Sequence, residues 1–223
     1  MVDAAPREGP SSEFTRIRRQ PARAAYDRDA VHSVLDAALV AHVGFVDDGR
    51  PIVIPMLFGR DGERVFLHGS VASRLQRTLA TGIDVCLTVT IVDGLVLARS
   101  AFHHSMNYRS AVLLGRAVPI APDDKAHALR CIAEHLTPGR WDESRAPTEP
   151  ELKQTAVLEL QVEHASAKAR VGGPIDDPAD IDLPIWAGVV PITVEYGEPI
   201  TEPDSRLKAP SPAIEDLLSE TGD

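Results

Sequence analysis

Three Asp-Gly dipeptides, Asp48-Gly49, Asp61-Gly62 and Asp93-Gly94, each stand between short apolar runs. A type I′ turn needs positive φ at both central positions, and Asp-Gly supplies it, so each dipeptide predicts a tight antiparallel hairpin. The flanking runs agree. Residues 39–46 and 51–58 border the first turn, 64–68 follows the second, and 85–91 and 95–102 border the third. Over 85–91, Val85, Leu87, Val89 and Ile91 alternate with Cys86, Thr88 and Thr90, the period of a half-buried strand. Further strands are expected over 111–118, 157–164 and 189–196. Helical spacing is confined to 30–39, opened by Asp29, to 70–79, capped by Ser70, to 122–136, and to a short stretch at 212–218. Strands follow one another directly, which argues against βαβ crossovers and a parallel sheet. Closing the meander into a small barrel would remove its exposed edges. The expected class is mainly β, an antiparallel barrel with a few peripheral helices.

The chain has 223 residues, and at roughly 150 residues per domain this suits one domain with extensions. The expected division is a flexible basic arm over 1–20, a body over 21–200 and an acidic, Pro-rich tail over 201–223. Only 4% of residues are aromatic, so the core must be built from Val, Leu, Ile and Ala. No apolar run approaches the ~18 residues of a membrane-spanning helix. Residues 1–9 are charged and lack an apolar stretch, so no secretory signal is visible. Two cysteines, Cys86 and Cys131, cannot make a disulfide scaffold or a CxxC metal site. A reduced, cytoplasmic protein without membrane contact is expected. The net charge of −10 is unevenly spread. Residues 1–115 carry 13 basic and 12 acidic groups and residues 116–223 carry 10 and 21, a net of +1 against −11. An acidic protein is a poor partner for nucleic acid, and an anionic ligand belongs with the first half. The run Arg16-Ile17-Arg18-Arg19 is either a solvated tail or a lid over such an anion.

No dinucleotide fingerprint, phosphate-binding P-loop, nucleophile elbow or zinc-protease motif is present. A metal reading rests only on His103-His104, whose side chains would leave a strand on opposite faces, so no metal is expected. The segment His68-Gly69-Ser70-Val71-Ala72-Ser73-Arg74 is more suggestive. A strand ends at His68, Gly69 permits a turn, and a helix beginning after Ser70 would offer free N–H groups, a Ser73 hydroxyl and the Arg74 guanidinium to a phosphate. Many helices begin with Ser and carry an exposed Arg, so an ordinary cap explains the same residues. A second polar segment, residues 99–110, lies between apolar strands. It is either an exposed loop or a site for a ligand or partner chain.

The blocks Val40-Ala41-His42-Val43-Gly44-Phe45 and Leu67-His68-Gly69-Ser70 with Ser73-Arg74 recur with a long run, Asp93-Gly94-Leu95-Val96-Leu97-Ala98-Arg99-Ser100-Ala101-Phe102-His103-His104-Ser105-Met106-Asn107-Tyr108-Arg109-Ser110. Together they resemble the pyridoxamine 5′-phosphate oxidase-related flavin-binding proteins. The nearest branch is the flavin-nucleotide-binding group that includes 5-nitroimidazole-resistance reductases. The resemblance spans about residues 18–199. It implies an FMN-binding split β-barrel, a homodimer with flavin at the subunit interface, and a small-molecule electron acceptor. Carried over residue by residue, Ser70, Ser73 and Arg74 would hold the FMN phosphate, with Gly69 forming the turn. Ile54 and Pro55 would lie along the flavin ring, and Asn107, Arg109 and Ser110 would line the interfacial site. His68 matches the histidine close to the flavin and would serve as catalytic proton donor. Lys168, Arg170 and Trp186 would face substrate. Lys168 and Arg170 share one face of an expected strand, and apart from the resemblance both read as solvent-exposed. Trp186, amid Pro and Gly, reads from its setting as a packing anchor rather than a substrate platform.

The longer basic phosphate motif of the true pyridoxamine phosphate oxidases is not matched, which argues against their substrate. The expected activity is a flavin-dependent oxidoreductase that passes electrons from NAD(P)H or a reductase to an acceptor such as a nitroaromatic. The alternatives are a non-catalytic flavin-binding or storage protein, and the same barrel holding a deazaflavin or haem. A basic arm binding nucleic acid is a third, disfavoured by the charge.

Overall fold

The computed structural model describes residues 13–219; the first twelve residues of the expected arm and the last four of the expected tail lie outside the described residues. The elements are β1 (Ala24–Ala25), α1 (Arg28–Asp36), β2 (Ala41–Asp47), β3 (Arg50–Met56), β4 (Phe58–Asp61), β5 (Arg64–Ser70) and α2 (Arg74–Leu79). They continue with β6 (Asp84–Leu97), β7 (Ser105–Pro119), α3 (Lys125–Leu136), α4 (Glu149–Gln154), β8 (Thr155–Arg170), β9 (Gly188–Pro191) and α5 (Pro212–Ser219). The pairings β1–β8, β2–β3, β4–β5, β5–β8 and β6–β9 are all antiparallel, as the meander predicts. The chain is mainly antiparallel β with a few short helices, and it forms two compact units.

The first unit takes in the chain up to Ala38, Cys86–Leu114 and Glu163–Thr193. Its helix α1 is capped by Asp27, whose carboxylate accepts the Ala30 amide at 2.8 Å, so it starts earlier than the expected Asp29 and ends at Asp36. Val31, Val34 and Leu35 are its buried face. The expected turn at Asp93-Gly94 does not exist: both residues lie inside β6, and the expected strand over 95–102 stops at Leu97. The glycine serves packing instead. A Cβ on Gly94 would sit 3.0 Å from the Val190 carbonyl oxygen and 3.2 Å from Val189 Cγ1, because β9 pairs against β6 here in the register Gly94↔Pro191. Beyond Leu97 the chain makes a 3-10 turn, Ala101–His103, with the Phe102 amide donating to the Ser100 hydroxyl.

The second unit takes in Leu39–Val85, Gly115–Val162 and the chain from Val194 on. The β2–β3 hairpin closes as predicted, with Asp47 opposite Arg50 and positive φ at Asp48 (51°) and Gly49 (71°). At the next turn Asp61 pairs with Arg64, so the loop residues are Gly62-Glu63 rather than Asp61-Gly62. Gly62, with φ of 58°, takes the first central position, as a type II′ turn requires. Strand β5 has partners on both edges, β4 and β8, and Val65, Phe66 and Leu67 in it are all buried. Helix α3, close to its expected range, puts Ala128 and Ile132 against Phe66 and Val157.

Gly59 in β4 sets how close α3 comes, since a Cβ there would lie 2.5–2.6 Å from backbone atoms of Cys131 and Ile132. Helix α4 was not expected. A capping box announces it, with the Glu151 carboxylate accepting the Thr148 amide at 2.7 Å. In the expected tail, α5 buries Ala213, and the Ala213 amide donates to Glu143 at 3.0 Å. Replacing Gly59 by Ala must push α3 off β4, and we expect a loss of about 1–3 kcal/mol of stability by chemical denaturation. Unchanged stability would mean that the helix can back away freely.

Candidate functional site

Two groups of the expected residues are well defined, one in each unit. In the second unit, β5 carries His68, Gly69 and Ser70 opposite Val157, Ala156 and Thr155 of β8. Side chains alternate along a strand, so His68 and Ser70 share the face of Phe66, while Gly69 lies on the face of Leu67. The Ser73 amide donates to the Ser70 carbonyl at 2.9 Å, and the Ala72 amide donates to the Ser70 hydroxyl at 3.2 Å. These bonds make a turn, and α2 begins only after it. Ser73, not the expected Ser70, is therefore the N-cap residue, with extended φ and ψ of −64° and 130°. Its hydroxyl makes no capping bond and is open to another acceptor or donor. Arg74 follows it, 75% exposed at the side chain, with its guanidinium paired to Asp47.

Three buried polar atoms here have no partner: His68 Nδ1 and both ends of the Gln76 amide. Gln76 is only 2% exposed and sits where a Gly69 side chain would be, its Nε2 lying 2.7 Å from that Cβ position. Leaving such groups unpaired costs about 1–3 kcal/mol each, so they call for a ligand. Gln76 was not among the expected site residues. The available signal was a polar residue three before the inward Leu79 on a six-residue helix. Burial pushes the His68 imidazole below its ordinary pKa. The ring is therefore neutral at neutral pH, which suits a hydrogen-bond acceptor or metal ligand better than the expected proton donor. Ile54 and Pro55 do not share a face. Ile54 is half-buried opposite the buried Val43, whereas Pro55 is exposed opposite His42.

In the first unit, Arg170 is 5% exposed, so the solvent-exposed reading fails for it. Its guanidinium donates to Asn107 Oδ1 and to the carbonyls of Gly172 (3.0 Å) and Gly173 (2.9 Å). A buried cation needs such acceptors. Lys168 donates to the Arg19 carbonyl at 3.3 Å, and its own carbonyl accepts the Ser110 hydroxyl at 3.3 Å. The structure thus brings Asn107 to Arg170 and Ser110 to Lys168. Arg109 goes elsewhere: Asp93 takes its Nε and Nη2, at 2.8 Å for the shortest bond. Trp186 is 64% exposed and so is not buried as an anchor. Arg23 and Arg170 line a pocket of about 530 Å³ with Pro174 and Ile175. Burial, and then the charge of Arg23, lower the Arg170 pKa.

The polar segment 99–110 is not a free loop but is tied down by its own polar contacts. Arg99 donates to Asp176 through its amide (2.7 Å) and its guanidinium (2.8 Å), while Arg99 Nε is buried without a partner. His103 meets Asp177 at 3.3 Å, and His104 Nδ1 accepts the Ala98 amide at 3.0 Å.

A family model described as pyridoxamine 5′-phosphate oxidase matches residues 27–169. Among curated proteins nothing matches. Solved structures do. The flavocytochrome Anf3 of Azotobacter vinelandii is 42% identical over 95% of this chain and 98% of its own, with a TM-score of 0.87. The FAD- and haem-binding protein of Mycobacterium smegmatis is 39% identical over 87% of this chain and 97% of its own, with a TM-score of 0.84. A candidate 5-nitroimidazole antibiotic resistance protein of Bacteroides thetaiotaomicron is 26% identical over 65% of this chain and 85% of its own, with a TM-score of 0.56.

Two titrations follow from this geometry. The His68 ring should titrate by NMR with a midpoint below the usual value of about 6.5; a midpoint at or above it would mean that the ring is solvated. Burial pushes the Asp176 carboxyl up, but the Arg99 amide and guanidinium outweigh it and hold the group below its ordinary value. A depressed pKa stabilises above the unfolded value and is lost as pH falls through the folded one. The Arg99 amide resonance should therefore move with a midpoint below the ordinary aspartate value of about 3.9; a midpoint at or above it would mean that the Arg99 contacts do not hold the carboxylate.

Proposed function

The chain belongs to the pyridoxamine 5′-phosphate oxidase family, and from that premise we propose that it is a redox protein holding a flavin together with a haem. One observation carries this reading. The two similar proteins that extend over nearly the whole chain, at 42% and 39% identity, are a flavocytochrome and a FAD- and haem-binding protein. The same observation favours FAD over the FMN that the sequence resemblance implies. When bound, a flavin supplies hydride and one-electron chemistry and a haem supplies one-electron chemistry.

The residues at the end of β5 fit a cofactor. The Ser70 and Ser73 hydroxyls and the Arg74 guanidinium would bind phosphate oxygens, with Arg74 exchanging its Asp47 partner for the phosphate. The Gln76 amide, partnerless at both ends, would donate and accept towards a ring edge. His68 would use its unpartnered Nδ1 as acceptor or as iron ligand. In the first unit, the exposed Trp186 and the Arg23–Arg170 pocket would receive the electron donor or acceptor. A homodimer is part of the same proposal. The outer face of the β2–β3 hairpin exposes Val46 and Val53 (59% and 62%), and the first unit exposes Val171 and Ile175 (81% and 71%), apolar area that a second copy would cover. A nitroaromatic acceptor is a second reading, supported by the 26% identity to the resistance protein. Among the described residues no helix is long and apolar enough to cross a membrane.

The absorption spectrum of the purified full chain tests the proposal. Flavin bands near ~370 and ~450 nm, a Soret band near ~410 nm and FAD released on denaturation are expected. Protein that stays colourless after incubation with FAD, FMN and hemin would end it, and flavin without a Soret band would leave only the nitroaromatic or storage readings. His68→Ala should lose one of the two chromophores while the fold persists. Arg74→Ala should weaken flavin binding roughly tenfold or more. Asp47→Asn, by freeing Arg74, should tighten it by up to about fivefold. No effect of Asp47→Asn would mean that the phosphate is held elsewhere.

A further inference from the structure

Away from these groups, α3 and β4 bring together three side chains that nothing above uses. His127 and Cys131 stand four residues apart on α3, one above the other on the same helix face. Asp61 closes β4 beside them. His127 Nε2 lies 2.8 Å from Asp61 Oδ2 and 3.6 Å from Cys131 Sγ, and all three ligand atoms lie within 4.8 Å of one another.

Two chemistries use this trio of residue types, and the geometry separates them. A nucleophilic relay needs the thiol on one imidazole nitrogen and the carboxylate on the other. Here both converge on Nε2, which excludes a relay and leaves a common centre. In a tetrahedral zinc site, bonds of about 2.0–2.3 Å put neighbouring ligand atoms about 3.3–3.7 Å apart. The sulfur–nitrogen distance already has that value, and the oxygen–nitrogen distance has to open by about half an ångström once a cation replaces the shared proton. We infer that Asp61, His127 and Cys131 form a binding site for a borderline-soft divalent cation of the zinc class, with solvent completing the coordination.

The surroundings fit. Gly59 lets the α3 backbone at Cys131 come within van der Waals distance of β4, which brings the thiol to the strand that ends in Asp61. Phe66 stands edge-on to the His127 ring, with centroids 6.2 Å apart and planes at 84°, and so holds the ring's orientation. Two cations reach Cys131 with their field, Arg64 and Arg130; Arg64 is occupied by Glu159 at 2.8 Å and Asp124 at 3.6 Å and Arg130 by Asp142 at 2.8 Å, so both charges are offset. Asp61 and His127 have side chains about half exposed, which gives an ion access. Burial and the Asp61 charge push the Cys131 thiol up, so the metal-free thiol keeps its proton. The site is independent of any flavin or haem.

Alkylation of the full chain reads the site directly, because Cys86 serves as an internal control. With Zn2+ added, iodoacetamide should modify Cys131 about tenfold more slowly, with no change at Cys86 and full reversal by EDTA. His127→Ala and Asp61→Asn should each abolish the protection, read in each variant as the ratio of its own Cys131 rates with EDTA and with Zn2+, since removing the Asp61 charge itself speeds alkylation in EDTA. Zn2+ that leaves Cys131 alkylation unchanged would overturn the inference, as would protection that persists in both variants. Should either variant fail to fold, X-ray absorption at the zinc edge of the wild-type protein decides. One sulfur with nitrogen and oxygen neighbours supports the site, and a sulfur-free shell removes it.

Discussion

The antiparallel ladder between β5 and β8 holds the functional parts of the second unit in register. It joins residues far apart in sequence: Arg64 and Glu159, paired across it at 2.8 Å, are 95 residues apart. Closing so long a loop is entropically unfavourable, and the ladder offsets this by burying Leu67, Leu158 and Leu160 almost completely. At one end it delivers His68 and Ser70, and the Val71 amide extends it by donating to the Gln154 carbonyl. On its other edge it fixes β4, and through Gly59 the closeness of α3. The cofactor residues and the Asp61–His127–Cys131 group therefore depend on one register.

Charge separates structural from available groups. In the first unit Arg99, Arg109, Lys168 and Arg170 all donate to acceptors of their own chain. A guanidinium as buried as Arg170 has little alternative, since an unpaired buried cation would unfold its surroundings. Arg74 differs because its side chain is three-quarters exposed and its partnership with Asp47 is weak in water. It can exchange one anion for another at small cost. That property, more than the presence of an arginine, marks it as a ligand-binding residue.

What was legible in the sequence follows the range of each physical signal. Asp48-Gly49 reads correctly because a positive φ is a local demand. Helix α3 reads correctly because its apolar spacing is complete within one segment. The Thr148-x-x-Glu151 capping box was equally local and announced α4, and His127 and Cys131 at helical spacing were there to be read as a pair. Asp93-Gly94 misleads because glycine meets two different demands, positive φ and close approach, and only the identity of the neighbouring strand tells which. The pattern makes Ser70 the cap, but Ser73 takes that place, because the two bonds around Ser70 belong to a turn that the pattern does not encode.

The sequence by itself determined the antiparallel β class, the tight turn at Asp48-Gly49, the helices α1 and α3 to within a few residues, and the family, through one long block of identities. All of these rest on backbone preferences or on residues adjacent in the chain. Tertiary structure alone decided that Arg170 is a buried internal donor, that Gln76 and His68 present unpartnered polar atoms, and that Asp61 meets His127 and Cys131. Each of those outcomes depends on desolvation or on contact between distant segments, and neither is a property of any residue until the strands have paired.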